Sequence, residues 1–134
     1  MKRLLITITV LSGGFLFMNF TPNNGSLTDD DKKIVSSRFS VPDNVKEIIF
    51  NHCYDCHWSH SKNIKGKGKL KFDAFDKYKK AKVIGKLQDI ADEVEEGKMP
   101  PKKAVKKYPH LKLSKEDAKI LIDWANSAMD EVMN

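Results

Sequence analysis

Apolar residues in this chain recur with the period of a helix rather than that of a strand. After Pro42, which suits a first helical turn, Val45, Ile48, Ile49, His52, Cys53 and Cys56 follow the i, i+3, i+4, i+7, i+8, i+11 spacing of one stripe. That spacing predicts a first helix whose C-terminal end carries residues 53–57. A lysine-rich loop should follow, with Leu70, Phe72, Phe75 and Tyr78 as packing residues. Phe72-Asp73 reads as the start of a short helical turn capped by Asp73. Val83, Ile84, Leu87, Ile90, Ala91 and Val94 mark a second helix from about Lys80 to Glu96, and Gly97 is a natural stop. The last helix should open at Ser114, where Asp117 three residues on supplies a capping box. Its buried stripe is Ala118, Leu121, Ile122, Ala125, Ala128, Met129 and Val132. No alternating strand pattern appears after residue 40, so the expected fold class is all-α.

The N-terminus has a different pattern. Met1-Lys2-Arg3 precedes an apolar run from Leu4 to Phe17, the charged and hydrophobic regions of a secretory signal. Residues 1–20 therefore read as a signal peptide or N-terminal anchor, with cleavage and retention both open. Residues 21–40 contain Pro22, Asn23, Asn24, Gly25 and the run Asp29-Asp30-Asp31, and read as a polar linker. The domain is then 41–134, small enough that its own core is marginal. A large apolar cofactor would supply much of the missing interior. The expected location is periplasmic or otherwise exported, with membrane attachment through the N-terminal segment if it is retained.

The formal charge is +6, and lysines crowd the middle of the chain from Lys62 to Lys86. A solvated face explains most such runs; the functional alternative is a cationic surface that steers an acidic redox partner. Nucleic acid fits poorly, because these lysines are not interleaved with stacking aromatics. Gly66-Lys67-Gly68 is too short for a phosphate-binding loop and reads as a flexible turn.

The chemistry is concentrated in Cys53-Tyr54-Asp55-Cys56-His57, the pattern of covalent c-type haem attachment. Positions i, i+3 and i+4 share a helix face, so both sulfurs can form thioethers while His57 ligates iron from the same side. The chain has only two cysteines, which excludes a closed zinc site built from two spaced pairs. A thioredoxin-like pair needs flanking strands, and the flanks read as helix. A disulfide across so tight a loop would stabilise little.

Met99 lies in Lys98-Met99-Pro100-Pro101, just beyond the second long helix. The residue before a proline is driven out of helical geometry, so Met99 is displayed from a stiff, extended segment. A thioether there could reach an iron on the face opposite His57, and histidine with methionine is the ligand pair of electron-carrying cytochromes c. His110, in a loop further along, competes for the distal position. Phe50, Tyr54, Phe72, Phe75, Tyr78, Tyr108 and Trp124 are candidates for a haem wall, with core packing the default for each.

These segments resemble the small haem-binding domain proteins with a c-type cytochrome fold found in Bacteroidetes-like bacteria. The matching pieces are Val45 to His57, Leu70-Lys71-Phe72-Asp73, Glu96 to Pro101, and Leu113-Ser114 leading to Leu121-Ile122-Asp123-Trp124, spanning about residues 41 to 130. The resemblance implies a cytochrome c-like helical domain wrapped around one covalent haem c and its iron. It implies attachment at Cys53 and Cys56, proximal ligation by His57 and distal ligation by Met99. The expected function is a monohaem electron carrier and not an enzyme. Two alternatives stay open: a haem sensor or peroxidase-like protein with an open sixth position and His110 beside it, and a haem-free disulfide exchange protein.

Overall fold

In the computed structural model, residue 34 and residues 36–134 are described, and every regular element among them is helical. The fold is all-α, as the periodicity predicts. The signal segment 1–20 and most of the 21–40 linker lie outside the described residues.

Helix α1 (Asp43–His52) buries Val45, Ile48 and Ile49. It stops before the cysteine motif instead of running through it, because Tyr54, which lies off the apolar stripe, is itself a core residue with 1 % exposure. The chain leaves the helical path to bury that ring: Cys53 N–H and Tyr54 N–H both donate to Ile49 O at 2.9 Å. Residues 53–57 thus form a compact turn, closed by His57 N–H onto Cys53 O (3.1 Å) and Tyr54 O (3.0 Å).

The lysine-rich stretch is not a loop throughout. Ile64–Lys69 forms a short helix, α2, so Gly66-Lys67-Gly68 is helical rather than a flexible turn. Two glycines give it poor intrinsic propensity, and none of its residues is buried. Hydrogen bonds hold it: Asn63 caps it, its side chain accepting from Gly66 N–H at 2.9 Å. Phe72–Lys77 is a 3-10 turn with Phe72, Ala74 and Phe75 inside. Asp73 does not cap that turn, because its carboxylate accepts from Ser59 N–H at 2.9 Å.

Helices α3 (Lys80–Glu95) and α5 (Lys115–Met133) make the most extensive packing in the domain, and α1 also touches α5. Most of the expected stripe positions are buried: Val83, Leu87, Ile90, Ala91 and Val94 on α3; Leu121, Ala125, Ala128, Met129 and Val132 on α5, joined by Trp124, while Ile84, Ala118 and Ile122 are only partly buried. Gly97, at φ 64°, ends α3 by adopting the left-handed conformation that glycine tolerates. Ser114 caps α5 by accepting from Asp117 N–H at 3.0 Å. Only half of the capping box forms, since the Asp117 carboxylate takes up the Ser114 hydroxyl (2.7 Å). Between α3 and α5 lie a second short helix, α4 (Lys102–Lys107), and a 3-10 turn that buries Leu111.

Residues 36–40, assigned to the linker from sequence, pack onto the domain. Phe39 is 6 % exposed, its ring edge-on to Phe75 with centroids 5.2 Å apart. Trp124 Nε1–H donates to Ser40 O (2.9 Å), and Arg38 donates to Tyr78 O (3.0 Å).

Candidate functional site

A cavity of about 280 Å³ opens between the cysteine turn, α3 and α5. Cys53, His57 and Met99 all line it, with Leu70, Phe72, Ile90, Val94 and Leu121 as its apolar surface. Cys56 does not line it, although it sits one residue before His57. Lys69, Asp89 and Glu93 also contribute.

His57 is the best-defined donor. Its Nδ1 lies 3.0 Å from Gly66 O. A carbonyl only accepts, so Nδ1 carries the proton and Nε2 keeps its lone pair for a metal. Burial lowers the pKa of His57, with the backbone of Gly66 and Leu70 opposing in part. The ring is thereby kept neutral, the form that ligates. Its main chain is fixed as well, since Phe72 N–H donates to His57 O at 2.9 Å. The Phe72 ring stands edge-on to the imidazole, at 86° and 6.4 Å between centroids.

The Gly66 carbonyl is placed by a closed series of hydrogen bonds. Ser61, 2 % exposed, donates its hydroxyl to Asp55 O at 2.6 Å and accepts from Asn63 N–H at 3.0 Å. Asn63 then caps Gly66, whose carbonyl returns to His57. Glycine is required there because a Cβ on Gly66 would collide with the Cys56 carbonyl oxygen and lie 3.2 Å from Cys56 Cβ. Sequence reasoning missed Gly66 because its contribution is a carbonyl and an absent side chain. The one available signal was the Asn63-x-x-Gly66 cap spacing.

Met99 follows the end of α3. Both Lys98 N–H (2.9 Å) and Met99 N–H (3.0 Å) donate to Glu93 O, turning the chain back after Gly97. The Met99–Pro100 peptide is cis. This turn brings the Met99 side chain, half-buried against the core, to the same cavity as His57. His110 is exposed and is not among the lining residues. Of the aromatic wall candidates only Phe72 lines the cavity. Tyr54 stacks with Trp58 at 5.8 Å, Trp124 lies beside Phe39 at 6.0 Å, and Tyr108 is exposed. The apolar lining that sequence did not assign to the cavity, Ile90, Val94 and Leu121, comes from the stripes of α3 and α5.

Burial raises the Cys53 thiol to about 12, with the neighbouring Cys56 adding to the effect. Such a thiol stays protonated, the opposite of a thiolate poised for exchange. Both cysteines are free.

The donor set suits a haem: one neutral imidazole, one thioether and an apolar enclosure. No curated protein and no solved structure matches this chain. The family model described as haem-binding domain matches residues 58–127, just over half of the chain; the match begins one residue after His57 and so leaves Cys53, Cys56 and His57 outside it. The chain belongs to the haem-binding domain family.

Proposed function

We propose that the protein is an exported monohaem c-type cytochrome that carries electrons between redox partners and performs no bond chemistry on a substrate. The observation that supports this most is that His57 and Met99 meet at one apolar cavity beside Cys53. Cys53 and Cys56 would anchor the cofactor by thioethers, and His57 and Met99 would be its axial ligands. When bound, haem supplies a one-electron couple at iron. The chain presents His57 neutral and aimed, and offers in Met99 a soft donor that raises the potential. Leu70, Phe72, Ile90, Val94 and Leu121 give the cavity a largely apolar wall, which would penalise the more highly charged oxidised state.

The reading includes an acidic partner. Lys67, Lys69, Lys71, Lys82 and Lys86 surround a surface hollow, and Lys69 also lines the cavity. Such a field favours encounter with a negatively charged protein at low ionic strength. The reading also places the protein in the periplasm or another exported location, with the N-terminal segment as signal or anchor. A peroxidase-like or sensor role gains nothing from the exposed position of His110, and disulfide exchange is opposed by the raised Cys53 pKa.

The test is a pyridine haemochrome spectrum and an intact mass on protein made in cells with haem-ligation machinery. Covalent haem is expected, and is lost in the Cys53→Ser, Cys56→Ser double variant. Met99→Ala should lower the potential and admit carbon monoxide or cyanide to the iron. Colourless protein with the mass of bare polypeptide would overturn the proposal, and a Met99→Ala spectrum like that of wild type would remove Met99 as ligand.

A further inference from the structure

A second hollow, of about 520 Å³, adjoins the first and shares Val94 and Met99 with it. Its remaining apolar surface comes from Pro100, Val105, Leu113 and Ala118. Lys102, Lys106, Lys112 and Lys115 stand around it, and no carboxylate side chain lines it. The ion pairs among the described residues engage Lys46, Lys86, Lys98 and Lys119, none of these four. Of the acids near them in sequence, Glu96 pairs with Lys98, Asp117 accepts the Ser114 hydroxyl, and Glu116, next to Lys115, does not line the hollow.

An apolar floor ringed by four lysines outside the ion pairs of the described residues calls for a ligand with two parts, a hydrocarbon body and an anionic head. An inorganic anion would leave the floor wet, and a neutral hydrocarbon would leave the lysines repelling one another. The size lies in the range of small-molecule sites. We propose that this hollow binds a medium-chain carboxylate and that its occupancy is felt at Met99, the residue common to both cavities. The inference goes beyond the electron-carrier reading and does not depend on it.

Decanoate titrated into the full protein, with amide-nitrogen and methionine-methyl labels, tests this by NMR. Saturable shifts are expected at the amides of Val105, Leu113 and Ala118 and at the Met99 methyl. Decyltrimethylammonium, with the same chain and a positive head, should produce none of them. Lys106→Glu with Lys112→Glu, both at exposed positions, should weaken decanoate by about tenfold, the effect of losing roughly 1.4 kcal/mol. Shifts spread over the lysines of 62–86, equal binding of the cationic amphiphile, or unchanged affinity in the charge-reversed variant would each overturn the site. Shifts at the three amides with a silent Met99 methyl would overturn the coupling. Because the amides report binding whether or not Met99 ligates iron, failure here is distinguishable from failure of the cytochrome reading.

Discussion

Gly66→Ala and Gly68→Ala place the same methyl group on the same six-residue helix two positions apart, and they should move stability in opposite directions. At Gly68 a Cβ meets nothing within 4 Å, so the substitution should only improve helix propensity, stabilising by about 0.5–1 kcal/mol. At Gly66 the same gain is opposed by collision with the Cys56 carbonyl, which is backbone and cannot rotate aside; the Cys56 carbonyl carbon itself lies 3.1 Å from the added atom. Overpacking of this kind costs about 1–3 kcal/mol. Displacing α2 also stretches the His57 Nδ1–H bond to Gly66 O, a further 0.5–1.5 kcal/mol, roughly. The two variants should therefore differ by about 1.5–4.5 kcal/mol, with Gly66→Ala below wild type and Gly68→Ala above it. In a domain of this size each kcal/mol moves the melting temperature by about 4–8 °C, so thermal unfolding resolves the pair easily. The Nδ1–H proton resonance of His57 should shift in Gly66→Ala alone. If Gly66→Ala melts at or above wild type with that resonance unmoved, α2 does not position the imidazole.

Three other substitutions or conditions probe separate parts of the structure. Trp124→Phe removes the bond to Ser40 O and should cost about 1–2 kcal/mol, with faster amide exchange at residues 36–40; unchanged exchange there would show that the arm is held without that bond. Ser114→Ala removes the cap of α5 and should cost about 1 kcal/mol in urea unfolding. In the haem-free Cys53→Ser, Cys56→Ser chain, His57 has a folded pKa below its ordinary value of 6.5, so below 6.5 the unfolded chain binds the proton first. Stability should then fall as pH drops through that value, and should lose this dependence in His57→Gln.

The long helices were legible because each buries a continuous stripe. Val83 to Val94 and Leu121 to Val132 pack where their spacing puts them, and Gly97 and Ser114 end and begin helices as their chemistry requires. The elements that sequence reasoning did not find, α2 and α4, bury nothing. Their residues therefore carry no periodic signal: lysines with Ile64 and two glycines in α2, and lysines around Ala104 and Val105 in α4. The cysteine turn was misread as helix because the stripe did continue through Cys53 and Cys56; burial of Tyr54, off that stripe, decides the local path. At the site, Cys53, His57 and Met99 were readable because side-chain type specifies their chemistry. Gly66 was not, since a carbonyl acceptor can come from any residue.

The two proposed axial ligands depend on different kinds of contact. The hydrogen bonds nearest His57 lie within residues 53–72: the turn on Cys53 and Tyr54, the Ser61–Asn63–Gly66 bonds and the Phe72 amide. These are short-range interactions that close small loops at low entropic cost. Met99 instead follows the end of α3, held by Glu93 O, and its position relative to His57 depends on α3 packing against α5. Leu121 of α5 and Ile90 and Val94 of α3 line the cavity together, so the helix packing that stabilises the domain also sets the distance across the site. A substitution that loosens α3 against α5, even one far from the cavity, should therefore act on Met99 before it acts on His57. The hollow bounded by Lys102, Lys106, Lys112 and Lys115 lies against that more dependent half, where a bound ligand has the most structure to influence.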